Sequence, residues 1–213
     1  MLDLFTSARH EAFTGSALRY PTAALAAAWK MLLFGDGSPT RLISLLSGVP
    51  LVVSVLGMDA LPDGDASVAC WAPLALPAAT IAQPRVLRRV WLESPTGQRY
   101  GYACSWWCQA DVPGFLPNLG SPIGDALASH RHEIHRELLC VVHAVGHAGL
   151  EEGFGLPPAA AADVAALQPG RDWGAGELWG RWYIMRHQGK PLCVIYEVFS
   201  PRLEELLGCR VPA

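Results

Sequence analysis

A chain of 213 residues, 51% hydrophobic and 16% charged, is long and apolar enough to bury one sizeable core, which excludes a disordered chain. The formal net charge of −3 comes with no Lys/Arg block. That argues against a nucleic-acid surface but still allows one or two local arginines to hold a small anion.

Residues 1 to 20 show no clear period, and partial order at best is expected there. Asp3, Arg9, His10 and Glu11 stand where a signal peptide needs an apolar run, so a cytoplasmic protein is expected. Residues 22 to 34 read as a helix with Leu25, Ala28, Trp29, Leu32 and Leu33 on one stripe. Gly35, Asp36 and Gly37 end it. Ser38 then caps a short helix that has Pro39 at its first position and runs to about Leu46. The uncharged run 42 to 58 contains Gly48, Pro50 and three serines. It falls short of the about 20 apolar residues of a membrane-spanning helix.

Residues 50 to 57 and 66 to 72 read as strands, and 73 to 84, with three prolines, as a loop. Residues 86 to 93 and 98 to 108 form a hairpin around Pro95, Thr96 and Gly97. Residues 112 to 130 read as a loop entering a short helix, and 132 to 145 as a long strand. Residues 146 to 176 are a Gly/Ala/Pro-rich excursion with a helix near 158 to 167. Residues 178 to 186 and 192 to 199 make a second hairpin, turning at Gln188, Gly189 and Lys190, and Leu203 to Leu207 add a helical turn. Antiparallel strands with helices at the ends give an α+β class, one domain over 1–213.

Two charges stand out by strand alternation. Val86, Arg88, Val90 and Leu92 share one face, and Arg88 is its single charge. Cys193, Ile195, Glu197 and Phe199 share another, and Glu197 is its single charge. A lone charge among apolar neighbours needs a partner. Either the two meet in a buried salt bridge, or they face a small acidic ligand, with Arg88 clamping a carboxylate and Glu197 meeting a hydroxyl.

Other groups carry weaker signals. His130, His132, His135, His143 and His147 cluster in sequence, and on a strand His135 and His143 would share a face. No defined fourth ligand accompanies them and the HExxH glutamate is absent, so no metal site is assigned. The six cysteines sit mostly in apolar strands and read as buried free thiols. Trp106, Trp107, Trp179 and Trp182 read as core, or as walls for an aromatic ring. No phosphate loop or nucleophile elbow is present.

The segment ELWGR…GKPLCVIYEVFSP resembles the signature of chorismate pyruvate-lyases, which make 4-hydroxybenzoate for ubiquinone. Leu87-Arg88-Arg89-Val90 followed by Gly97 is similar to the family's arginine strand and turn. Ser121-Pro122-Ile123-Gly124 is similar to its Pro-Leu-Gly loop, and LLFGDGSPT at 32 to 40 to its first helix and loop. Together the matches run in order from residue 24 to 201.

The resemblance implies a single α+β domain whose antiparallel sheet with flanking helices encloses a buried ligand pocket, and a cofactor-independent lyase, expected to be monomeric, that splits chorismate into 4-hydroxybenzoate and pyruvate. It assigns Arg88 to the ring carboxylate and Glu197 to the para hydroxyl, with the main chain at Ile123 and near Pro39 completing the site. Cys104 stands where the family often carries a second arginine, and Arg89, Arg99 and Arg181 are the candidates to replace it. Pro39 has no amide hydrogen to donate. The alternatives are a lyase with an altered product and a non-catalytic domain of the same fold that binds aromatic acids.

Overall fold

The computed structural model describes residues 9–14, 25–62, 80–145, 148–156 and 177–208. Seven strands, β1 (Arg9–Thr14), β2 (Val52–Ala60), β3 (Arg85–Glu93), β4 (Arg99–Cys108), β5 (Ile134–Val145), β6 (Glu177–His187) and β7 (Lys190–Phe199), form one antiparallel sheet. Its order is β1-β5-β6-β7-β4-β3-β2. The helices are α1 (Ala27–Phe34), α2 (Pro39–Ser47), α3 (Val112–Phe115), α4 (Ile123–Ser129), α5 (Ala148–Gly153) and, after a 3-10 turn at Pro201–Leu203, α6 (Glu204–Leu207). The fold class is α+β, as the alternation of strand patterns and turn residues implies.

β1 is a strand within residues 1 to 20, where the sequence shows no period. Arg9–Thr14 pairs with Val145–Cys140 of β5, so its order comes from a partner distant in sequence. The expected strand at 66 to 72 and helix at 158 to 167 lie outside the described residues. Within 146 to 176, the helix among the described residues is α5. Lys190 belongs to β7, and the turn consists of Gln188 and Gly189, at φ 49° and 77°, the left-handed pair that suits a two-residue hairpin.

The sheet buries both faces. On one side Leu87, Trp91, Tyr102, Trp106, Trp182 and Tyr196 pack beneath Leu150 and Phe154. The other side carries two separate apolar clusters. One joins α1 and α6 to the sheet through Trp29, Leu33, Val90, Trp179, Phe199 and Leu207. The second joins α4 through Trp107, Ala126, Leu127, Met185, Cys193 and Ile195. The predicted stripe of α1 is the buried one, with Leu25, Trp29, Leu32 and Leu33 at 2% exposure or less. Gly35 closes α1 by donating its N–H to Met31 O, and a Cβ there would lie 2.4 Å from that oxygen. Among the described residues no helix is long and apolar enough to cross a membrane.

Of the four register shifts recorded in the sheet, two bear on the site. One falls in β5 between Leu138 and Cys140, the other in the final hairpin between Met185 and Arg186. The first breaks the alternation that had placed His135 and His143 on one face. His135 pairs with Arg186 and His143 with Trp179, positions on opposite faces.

Candidate functional site

The gap between the two clusters on the α1 side is a chamber. Its wall includes Val53, Arg88, Val90, Leu92, Ala103 and Ser105 from β2, β3 and β4. β5, β6 and β7 add Arg136, Tyr183, Met185, Ile195 and Glu197, and the starts of α2 and α4 add Ser38, Pro39, Thr40, Pro122, Ile123 and Gly124. The space free of atoms is about 470 Å³, mouth included. Its closed part has room for only about three waters, less than a flat acid needs, so a ring-sized guest has to part the walls.

All four residues assigned from sequence line this one chamber: Arg88, Glu197, Ile123 and Pro39. Arg88 and Glu197 are buried, at 2% and 5% exposure. They do not pair. Arg88 lies opposite Ser105, Ser105 opposite Ile195, and Glu197 is two residues beyond on β7. Two strand spacings and a two-residue offset put their Cα atoms about 12 Å apart in a flat sheet. Pro39 is buried at the first position of α2, and Ser38 Oγ accepts Arg41 N–H at 3.3 Å in its capping role. Ile123 opens α4.

Arg88 is a cation held by carbonyls. Its Nε and Nη2 donate to Leu119 O at 3.2 and 2.6 Å, and Nη2 also to Ser121 O at 3.0 Å. Both acceptors sit in the loop before α4. Nη1 keeps two N–H donors with no protein acceptor among the described residues. Burial pushes this guanidinium down to about 10, as expected of a charge removed from water without a counter-ion beside it.

Glu197 is held differently. Arg181, directly opposite on β6, donates Nε to Oε2 at 2.8 Å, and the Tyr183 hydroxyl donates to Oε1 at 2.8 Å. Arg181 is itself 2% exposed and also donates Nη1 to Leu32 O and Gly35 O at 2.8 and 2.7 Å. Burial alone would lower the Arg181 value, but Glu197, with Tyr183, outweighs it and holds the guanidinium above its ordinary range. The Tyr183 phenol is driven well up, first by burial and then by Glu197, so it stays a donor. Each Glu197 oxygen retains lone-pair capacity for another donor.

Arg181 and Tyr183 were not read as the partners of Glu197. Arg181 had been considered for a second carboxylate, yet it stands behind Glu197 and outside the chamber wall. Cys104 is also corrected. It lies in the opposite apolar cluster, its thiol donating to Tyr102 Oη at 3.2 Å, and burial pushes it up to about 12. Ala103 and Ser105 are the β4 residues on the chamber side. The other two candidates also fail: Arg89 pairs with Asp59, while Arg99 stacks on Trp91 and donates to Gly153 O. Trp106, Trp107, Trp179 and Trp182 are all buried and stand outside the lining of this chamber. Among the described residues no three His, Cys, Asp or Glu side chains converge on a cation site. Instead His130 stacks on His132, His132 meets His187 edge-on, and His132 and His187 both pack against Phe115.

The chamber thus offers a cation with spare donors, a carboxylate with spare acceptor capacity, and apolar walls between them. That set suits a flat anion bearing a hydroxyl at its far end.

A family model described as "Chorismate pyruvate-lyase Rv2949c-like" matches residues 33–159 and 171–207. The chain is 24% identical over 185 residues to the "Uncharacterized protein ycf21" of Pyropia yezoensis, covering 87% of each chain. It is 25% identical over 173 residues to the ycf21 protein of Cyanophora paradoxa, covering 81% of this chain and 77% of the relative. Among solved structures it resembles the effector domain of PhnF from Mycobacterium smegmatis, with a TM-score of 0.51, 10% identity and coverage of 78% and 90%. The possible transcriptional regulator YydK from Bacillus subtilis also gives 0.51, at 13% identity and coverage of 78% and 63%. These two likenesses speak for the fold.

Proposed function

The chain belongs to the Rv2949c-like chorismate pyruvate-lyase family, and on that premise we propose that it converts chorismate to 4-hydroxybenzoate and pyruvate without a cofactor. The observation that supports this most is the placing of Arg88 and Glu197: opposite charges, in one chamber, on separate strands, each held by other groups.

Chorismate carries a ring carboxylate, a hydroxyl para to it and an enolpyruvyl ether on the neighbouring carbon. The carbon–oxygen ether bond breaks, the hydrogen on the hydroxyl-bearing carbon is lost, and the third ring double bond forms. The departing enol gains a proton at its methylene carbon and becomes pyruvate. Aromatisation drives the step, so the protein's task is orientation and charge neutralisation. In this reading Arg88 Nη1 donates to the ring carboxylate. Glu197, fixed by Arg181 and Tyr183, accepts from the hydroxyl and polarises it as the ring becomes a phenol. Pro39 and Ile123 confine the ring. The walls part to admit it and close behind it.

The assay is incubation with chorismate and no added metal, following 4-hydroxybenzoate and pyruvate. Equimolar release is expected. Release of another hydroxybenzoate isomer would point to an altered product. Binding without turnover would favour a non-catalytic aromatic-acid domain, a role the fold's occurrence in an effector domain keeps in view. Arg88→Ala and Glu197→Gln should each lower kcat/KM by about 100-fold or more, the scale of losing a charge-assisted contact that tightens in the transition state. Near-normal rates in both folded variants would refute the assignment.

A further inference from the structure

A second arginine reaches the chamber from its far wall. Arg136 is on β5, opposite Met185 and next but one to Ile134 and Leu138. β5 is separated from β3 by β6, β7 and β4, so Arg136 and Arg88 enter the same space from opposite sides. Arg136 Nη1 donates to Asp36 O at 2.9 Å. Its Nε is buried and meets no acceptor. No acidic side chain pairs with it among the described residues, because the neighbouring Glu137 is taken by Arg186. A Cβ added at Gly124 would lie 3.7 Å from Arg136 Nη2 and 3.3 Å from Ser38 Oγ, which places this guanidinium between the starts of α2 and α4.

A buried cationic N–H with no acceptor is unfavourable unless something arrives to accept from it. Arg88 already supplies a site for one carboxylate. We infer that Arg136 is the second anion-binding residue of the chamber, that it takes the carboxylate borne on an ether side arm, and that it makes the site selective for dicarboxylates over monocarboxylates. The inference rests on the reading of the site proposed above. A flat dicarboxylate spans the two arginines, while its monocarboxylate product engages Arg88 alone and is held less tightly. The second clamp would sit on the leaving fragment, neutralising the charge that fragment carries away.

The test compares two ligands that cannot eliminate: 4-hydroxybenzoate, and 3-(carboxymethoxy)-4-hydroxybenzoate, which adds an ether-linked carboxylate. Calorimetry gives both dissociation constants for the wild type, Arg136→Met and Arg136→Lys. Arg136→Met should weaken the dicarboxylate about tenfold or more, the usual scale for a charge-assisted contact. The monocarboxylate should stay within about threefold, and Arg136→Lys should recover part of the loss. A role confined to clipping Asp36 would weaken both ligands alike, and no role would weaken neither; both results overturn the inference. If the wild type binds neither acid, the reading of the whole site falls with it. If it binds both while the ratio ignores residue 136, only the inference fails.

Discussion

Replacing Arg181 with Met tests whether Glu197 is held as the structure has it. The substitution keeps most of the side-chain volume and removes the guanidinium. Glu197, with its side chain 7% exposed, loses the 2.8 Å ion pair and keeps only the Tyr183 hydroxyl. Leu32 O, Gly35 O and Gly37 O lose this donor at the same time. Breaking one side of a buried ion pair costs about 3–5 kcal/mol. In a chain of this size that corresponds to a fall in Tm of roughly 6–20 °C.

Urea unfolding at pH 7 measures the loss, and the double variant Arg181→Met/Glu197→Gln isolates its electrostatic part. With the carboxylate gone the double variant should recover half or more of the deficit, leaving the three carbonyls that lost Arg181 as the remainder. A loss below about 1 kcal/mol, or a double variant no better than the single, would refute the buried-pair account.

Other expectations follow from the same geometry. Tyr183→Phe removes one of the two protein donors to Glu197 and should cost about 1–2 kcal/mol of stability and about tenfold in turnover. Because the phenol is raised when folded, wild-type stability declines as pH rises above about 10, where the unfolded tyrosine ionises first. That alkaline slope should become shallower in Tyr183→Phe, as a pH series of unfolding curves would record. Gly153→Ala places a Cβ 2.5 Å from the ring of Trp91, which is already packed by Tyr102 and Phe154. It should destabilise by about 1–3 kcal/mol yet leave ligand affinity unchanged, since this contact lies on the face away from the chamber. Thermal melts and calorimetry would separate the two effects.

Alternation was enough to place Arg88 and Glu197, because a lone charge on an apolar strand face is visible without knowing the neighbours. The same rule was available for Arg136, which sits between Ile134 and Leu138 in the sequence; the adjacent histidines carried the more familiar signal. The partnership of Arg181 with Glu197 was less accessible. A plain two-residue turn at Gln188 and Gly189 pairs His187 with Lys190, and continuing that count sets Glu197 against Gly180. The register shift after Arg186 brings Arg181 opposite instead, and nothing local in the sequence announces it. Cys104 was misread by one position: the chamber is built from Ala103 and Ser105, and an adjacent strand residue always points the other way. β1 had no period to read because pairing with β5 defines it.

The hydrogen bond from Trp107 Nε1 to Ser105 Oγ, 2.9 Å long, ties a fully buried indole to a hydroxyl-bearing residue on the chamber wall. A guest that engages that hydroxyl alters the dipole felt by Trp107, while Trp91, Trp106 and Trp182 pack on the other face of the sheet. The molecule therefore carries its own optical reporter of occupancy. Its signal is the part of the emission change that disappears when Trp107 is replaced by phenylalanine.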